Sequence, residues 1–354
     1  MTRRKNSKNG LFSREAGLVA LCTLCMSSLA SAQTGPAATP PYTISVFATS
    51  QDGYSQPDSL AQWRNSILIG FGNGVAKDCT DGKFSTIVQY SLSGVVERTF
   101  SVVGHNDGLR LQPGTNRLWA LQCEDANPNL VIIDLATGAQ TPYTFPPTPH
   151  GGGYDDALFR DGHVYITASN PTLNGQGVNI YPALVHVVSL AGGFVTLEPV
   201  LYGNATAIDI PTGSTVTLNL TDPDSLTVDT RGNILLDDQQ DSQLIFIRDP
   251  LTANQIAGRL NITSSGVATT LDDTAFAKGP DIFLLVSDLG GDAIYRIDLP
   301  GWGFAPGTPY SASDTLGIVA TLNLDTGALS PIVTGLVSGR GELFVSPGKA
   351  FEPR

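Results

Sequence analysis

The sequence predicts an all-β fold: a six-bladed β-propeller of four-stranded blades, its ring closed by an N-terminal strand that joins the C-terminal blade. Three observations predict it. An aspartate motif recurs at a near-constant period, each period carries four strand-like runs, and the composition is rich in turn residues. Across 354 residues, 38 glycines and 23 prolines stand beside 41% hydrophobic and only 15% charged residues. So many apolar groups exclude a disordered chain, and the lack of a strict glycine period excludes collagen.

Residues 1–32 read as a secretory signal peptide. Arg3, Arg4, Lys5, Lys8 and Arg14 form a cationic leader, an apolar run covers about Ala16 to Met26, and Ala30-Ser31-Ala32 offers a small-residue cleavage pattern before Gln33. That run is too short to span a bilayer. Neither Cys22 nor Cys25 sits in a lipoprotein box, so export by the general pathway is expected, to the periplasm or outside the cell. Residues 33–41 follow as a flexible segment, and 42–354 as the propeller. The leader carries five basic residues and one acid, a net +4, so its removal takes the formal charge from −12 to −16. Nucleic acid and anionic membranes are excluded as partners by that charge, whereas metal cations and neutral or basic ligands fit it. The mature chain is expected to be a monomer.

Within the propeller region, Tyr42 to Ala48 is a lone strand. The aspartate motif then occurs in Pro57-Asp58-Ser59-Leu60, Asn106-Asp107-Gly108-Leu109, Asp155-Asp156-Ala157-Leu158, Pro223-Asp224-Ser225-Leu226 and Asp272-Asp273-Thr274-Ala275. Intervals from Asp58 to Asp107, Asp156, Asp224 and Asp273 are 49, 49, 68 and 49 residues. An insertion around Asn204 to Leu220 explains the long one. The fourth unit shows the internal order: Asp224 to Asp229, the turn Arg231-Gly232-Asn233, Ile234 to Leu236, Gln243 to Ile247, then Ile256 to Ile262. Four strands per period of that length make a propeller blade. A sixth, degenerate unit has Thr334 in place of the aspartate, Arg340-Gly341-Glu342 as a turn and Leu343 to Ser346 as a strand, with Tyr42 to Ala48 completing its blade.

Innermost strands of a propeller converge on a channel, so equivalent blade-opening residues point towards one axis. Asp58, Asp156, Asp224 and Asp273 are therefore candidate ligands for a divalent cation, most naturally Ca2+, because crowded carboxylates call for protonation or a hard cation. The alternative role for each is to cap a tight turn through its own backbone. His105 and His150 precede the motif in adjacent units and are candidate general bases or acids. Cys79 and Cys123 each fall in the loop after a unit's second strand; equivalent loops of neighbouring blades are close in space, and the two are expected to form a disulfide. The glycine run Gly151 to Gly153 precedes no helix and so makes no phosphate site. No Gly-x-Ser-x-Gly elbow or His-Glu-x-x-His pattern is present.

The stretch Pro223 to Asn233 resembles a blade opening of the gluconolactonase and regucalcin family of six-bladed propellers. Asn106-Asp107-Gly108-Leu109 through Arg117-Leu118-Trp119 is similar to that family's Asn-Asp-Gly blade. Asp238 to Leu244 and Asp288 to Ile294 resemble NHL-repeat loops. The resemblance implies a metal site from three blade openings, here Asp58, Asp156 and Asp224, and substrate contacts from Asn106 with Asp107 beside it. This sequence departs from the family at Asp58, Asp156 and Gly104, where glutamate, asparagine and arginine stand. Two functions follow as expectations: a metal-dependent lactonase or esterase acting on a small molecule, and a non-catalytic exported propeller that binds a protein or glycan. A lyase on the same scaffold would use the same residue types.

Overall fold

The computed structural model describes residues 35–279, 283–301 and 303–346. The expected signal peptide lies outside them. Among the described residues all regular structure is strand, and no helix is long and apolar enough to cross a membrane.

Strand formation follows the local sequence. Ser66–Phe71 (SILIGF) is apolar on both faces and wholly buried, as a central strand is. Val96–Val103 buries Phe100 and Val102 while Val103 stays exposed, the pattern of an outer strand with one face on the core. Turns are closed by aspartates: the Asp229 carboxylate accepts the N–H groups of Arg231 and Asn233, both at 2.8 Å, around Gly232 at φ +84°.

The strands form five hydrogen-bonded sheets among the described residues, in a propeller-like arrangement of antiparallel meanders. Pro57–Trp63, Ser66–Phe71, Phe84–Ser91 and Val96–Val103 make the first. Asn106–Leu111, Arg117–Gln122, Asn129–Asp134 and Gln140–Thr144 make the second meander; Tyr154–Arg160, His163–Ala168, Pro182–Ala191 and Phe194–Tyr202 make the third. A single parallel pairing of Thr144 with Phe194 joins these two at their outer edges. The fourth, Pro223–Val228, Ile234–Asp238, Gln243–Arg248 and Ile256–Asn261, reproduces the order read from the sequence. The insertion forms the hairpin Thr206–Asp209 with Thr215–Thr217, which extends that sheet outward through a parallel pairing with Ile256–Asn261.

The last two meanders depart from chain order. Thr274–Phe276 is followed in its sheet by Pro309–Ser313, Ile318–Leu322 and Ala328–Thr334. The hairpin of Phe283–Asp288 and Ala293–Asp298, which the repeat assigned to the fifth unit, instead lies between Gly339–Val345 and Thr43–Thr49. The physical reason is supply: among the described residues Gly339–Val345 is the strand that follows Thr334, Thr43–Thr49 comes from the other end, and the fully buried run FLLVSD with its hairpin partner fills the gap between them. Arg340-Gly341-Glu342, read as a turn, lies within that last strand. The segment before the first strand is also engaged, since Ala37–Ala38 pairs with Ala328–Thr334.

Buried clusters fill the spaces between neighbouring meanders. Leu68, Ile87 and Phe100 pack on Leu109, Leu118 and Ile133; Trp119 and Ile132 pack on Tyr154, Ile166 and Val185. A further cluster joins Leu60, Ile67 and Ile69 of the first sheet to Phe283, Leu285 and Val345 of the last. Opening strands approach very closely: a Cβ on Gly108 would lie 2.1 Å from the Asp155 carbonyl oxygen, and one on Gly341 2.7 Å from that of Asp58.

Cys79 and Cys123 are disulfide-bonded, linking the first two meanders across a separation of 44 residues. Closing a loop of that size in the unfolded chain removes roughly 4 kcal/mol of entropy by the chain model. A Cys79→Ala/Cys123→Ala variant is expected to lose about 2 to 4 kcal/mol of stability, read as a lower urea midpoint for the oxidised parent's replacement.

Candidate functional site

The site is made by a repeated irregularity. Four opening strands break register on entering their meanders, between Pro57 and Leu60, Asn106 and Leu109, Tyr154 and Ala157, and Pro223 and Leu226, and the last sheet does so opposite Gly339; Thr274–Phe276 pairs without a shift. Such a bulge frees a residue from the ladder and re-aims its side chain. The first freed residue is Asp58, Asp107, Asp155 or Asp224, with Arg340 in the last sheet and Asp272 just before Thr274. All six line two connected spaces.

The outer space is a cleft of about 530 Å³ bounded by Lys77, Glu124, Asp125, Asn170, Asp222 and Gln239 as well as the inner residues. Asp107, Asp224 and Arg340 continue into a narrow shaft of about 30 Å³, room for one water. Oxygens of Asp107, Asp155 and Asp224 lie within 4.8 Å of one another. Three carboxylates at that spacing are an oxygen donor set of the type hard divalent cations take.

Burial dominates the electrostatics. It pushes the Asp58 carboxyl up to about 8, with the Asp272 charge adding and the Arg340 charge opposing. Burial likewise raises Asp107, Asp155 and Asp224, and neighbouring carboxylates raise them further. Arg340 offsets part of the repulsion by donating to Asp272 at 2.8 Å. Glu124 goes the other way. Burial would raise it, but a hydrogen bond from Asp107 and the charges of Lys77 and His105 hold it at about 2. Lys77 is ion-paired to Glu124 Oε1. His105 is buried, its Nδ1–H donates to the Val75 carbonyl at 3.0 Å, and its Nε2 stands 3.6 Å from Glu124 Oε2.

The residues singled out from sequence are distributed as follows. Asp58, Asp107 and Asp224 line the shaft together. Asp156 and Asp273 line it too, each one residue beyond the equivalent position, which Asp155 fills in the outer cleft and Asp272 in the shaft. Asp156 receives the Arg110 guanidinium at 3.0 Å and the Leu226 N–H at 2.9 Å, tying the third meander to its neighbours. Asp273 accepts the Glu342 N–H at 3.0 Å. Asn106 is fully buried, donates to the Leu121 carbonyl at 3.0 Å and lies against Gly70, away from both spaces. His150 is buried edge-on to the Tyr154 ring, accepts the Gly152 N–H, and is held neutral by burial at about 4; it does not line the cleft. Sequence reasoning missed Glu124, Asp155, Asp272, Arg340 and Lys77. The doubled aspartates at 155–156 and 272–273 were the available signal for two of them.

No protein-family model matches the chain, and no curated protein matches it in sequence. Solved structures do. It is similar to a virginiamycin B lyase from Staphylococcus aureus, at 9% identity and TM-score 0.46 over 80% of this chain and 85% of that one. A putative gluconolactonase matches at 12% identity and TM-score 0.44, over 85% and 83%. A protein of unknown function from Bacteroides thetaiotaomicron matches at 12% identity and TM-score 0.50, over 85% and 69%. At such identities the likeness is one of fold.

Two measurements follow from this geometry. Each raised carboxyl holds a proton in the folded protein that the unfolded chain has released, so its contribution to stability is full below the unfolded value and lost as pH climbs to the folded one. That window runs from 3.8 to about 8 for Asp58 and from 3.8 to about 6 for Asp222 and Asp273. Glu124, lowered from 4.5, contributes stability above 4.5 that is lost towards about 2. The melting temperature of chelator-treated protein should therefore fall from about pH 4 to about pH 8, and saturating divalent cation should flatten that fall. Separately, Asp156→Ala leaves Arg110 without its partner and should cost about 3 kcal/mol of stability with little change in cation affinity. Asp155→Ala should do the reverse, as paired urea and calorimetric titrations would show.

Proposed function

We propose that this chain is an exported six-bladed propeller, closed through the sheet that holds both Thr43–Thr49 and Gly339–Val345, and that it works as a divalent-cation-dependent hydrolase of lactones or esters. The observation that carries the reading is the placement of Asp107, Asp155 and Asp224 on the floor of an open cleft. The cleft's size falls within the usual range for small-molecule sites. Its walls carry mostly acidic and amide side chains, with Lys77, Arg340, Pro171 and Leu173 and no aromatic ring, which leaves room for a substrate; large plugging side chains would instead have favoured the non-catalytic alternative. The cation is one with oxygen preference, Ca2+ first among them. Disulfide formation between Cys79 and Cys123 suits an oxidising compartment.

When bound, the cation would supply a Lewis acid that polarises the carbonyl oxygen of the scissile group. The chain's own residues supply the rest. Asn170, Thr221, Gln239 and Gln240 line the outer cleft with neutral donors and acceptors for the hydroxyls and ring oxygen of a polar substrate. Asp222 faces the same cleft with its backbone fixed, its N–H bound to Asp238 at 2.9 Å and its carbonyl to the Gln239 N–H at 3.0 Å. Its carboxylate is the group placed to take the proton of the attacking water and to return it to the leaving alkoxide. Lys77 and Arg340 keep the carboxylate crowd from repelling the oxyanion that develops.

The test is hydrolysis of a panel of lactones and aryl esters by the full chain, with and without chelator, beside calcium-dependent thermal unfolding. Calcium should raise the melting temperature by linkage. Chelation should abolish turnover, Asp224→Asn should weaken calcium binding at least tenfold, and Asp222→Asn should lower kcat by roughly 10²- to 10⁴-fold with calcium affinity retained. Calcium binding without turnover on any substrate would transfer the reading to the binding propeller. The absence of any divalent-cation effect on stability would overturn it.

A further inference from the structure

The oxygen-only group accounts for one side of Asp107. On its other side the structure brings together His105 and Glu124, whose ligand atoms lie with those of Asp107 within 4.8 Å of one another. We propose that His105, Asp107 and Glu124 form a second cation site, bridged to the first through the Asp107 carboxylate and favouring a borderline divalent ion such as Zn2+, with Mn2+ able to enter both sites as a spectroscopic probe. This rests on the cation reading above only in that Asp107 is shared.

Three features build the site. The imidazole is fixed: its Nδ1–H is committed to the Val75 carbonyl at 3.0 Å, which leaves the Nε2 lone pair directed at Glu124. Metal-bound histidines are oriented by this kind of outer hydrogen bond. A Cβ on Gly72 would sit 2.9 Å from the ring's Cε1, so the ring also has no room to turn on that side. The backbone that carries it is pinned, because the His105 N–H donates to Cys79 Sγ at 3.1 Å and its carbonyl accepts the Cys123 N–H at 2.9 Å.

The third feature points to a ligand independently. Glu124 is 4% exposed; its Oε1 is taken by Lys77, while its Oε2 has no hydrogen-bond partner and stands 3.6 Å from His105 Nε2. An Nε2 lone pair and a carboxylate oxygen repel at that distance unless something positive lies between them, either a proton or a metal ion. A metal ion with nitrogen and oxygen affinity satisfies both and takes a third ligand from Asp107. The donor sets also explain selectivity: three carboxylates suit hard ions, and one imidazole with two carboxylates suits borderline ones. The alternative occupant of the gap is a proton, giving an imidazolium salt bridge.

The experiment is a titration of chelator-stripped, untagged full chain with MnCl2, counting bound ions by dialysis and elemental analysis and reading the ligands by pulsed electron paramagnetic resonance. Two bound ions, one with imidazole nitrogen coupling, are expected, with the mononuclear signal diminishing as the second equivalent couples through Asp107. His105→Gln should bind one ion without nitrogen coupling; Asp224→Asn should keep the nitrogen-coupled ion. The nitrogen coupling is read on the wild-type protein, so the test survives if a variant fails to fold. One ion without nitrogen coupling would overturn this inference and leave the oxygen site standing. One nitrogen-coupled ion, unchanged in Asp224→Asn, would support this site and remove the other; no bound ion would remove both.

Discussion

Like charges crowded at one place are the constraint on which the rest of this molecule turns. Six aspartates, Asp58, Asp107, Asp156, Asp224, Asp272 and Asp273, line one narrow shaft with Asp155 in the cleft beside it, and burying charge is expensive. The chain answers in part with its own cations. Arg340 occupies the sixth equivalent position and pairs with Asp272, and Lys77 leans in from the rim onto Glu124. With Arg110, three cations against the ten carboxylates that line the two spaces leave a deficit, which protons or an external cation must fill. The raised carboxyls and the donor clusters around Asp107 are two expressions of that one imbalance.

The same bulge that aims these aspartates also makes the joints between meanders. The first freed residue faces the shaft or, at Asp155, the cleft. The second meets the neighbouring strand: Gly108 and Gly341 let backbones touch, while Asp156 and Asp273 bond N–H groups across the gap. A single local device therefore serves cohesion and chemistry, and a shift of one residue exchanges one role for the other. This is why a repeat alignment keyed to Asp-x-Leu or Asp-x-Ala gathers residues of both kinds. The openings at Asp58 and Asp224 have one aspartate each, on the shaft, whereas at 155–156 and 272–273 the second aspartate satisfies the sequence motif and lines the shaft while also bonding across the joint, and the first holds the equivalent position.

Strand exchange was hidden for a different reason. Phe283–Asp288 is uniformly apolar until its last two residues, so it carries no alternation that would fix its partner. Its place beside Gly339–Val345 depends on what lies free at the two ends of the chain, a relation over more than fifty residues. The conversion of Arg340 from a supposed turn into a shaft-lining residue has the same origin. Without the hairpin beside it, Gly339–Val345 lacks a partner, and a glycine-flanked arginine reads as a turn.

By itself, the sequence determined the all-β class, the meander period, the order of strands in the first four units, the outlying insertion and the Cys79–Cys123 bond. Each of these rests on local pattern: alternation, turn chemistry, spacing and the pairing of equivalent loops. Tertiary structure alone decided that Asp155 opens on the cleft and Asp156 on the shaft, that Glu124 and Lys77 join the group, and that His105 stands behind Glu124 while His150 and Asn106 are buried elsewhere. Those outcomes depend on distances between residues from different meanders and on the burial they share. A charge's neighbours, and therefore its chemistry, exist only once the chain has brought them together.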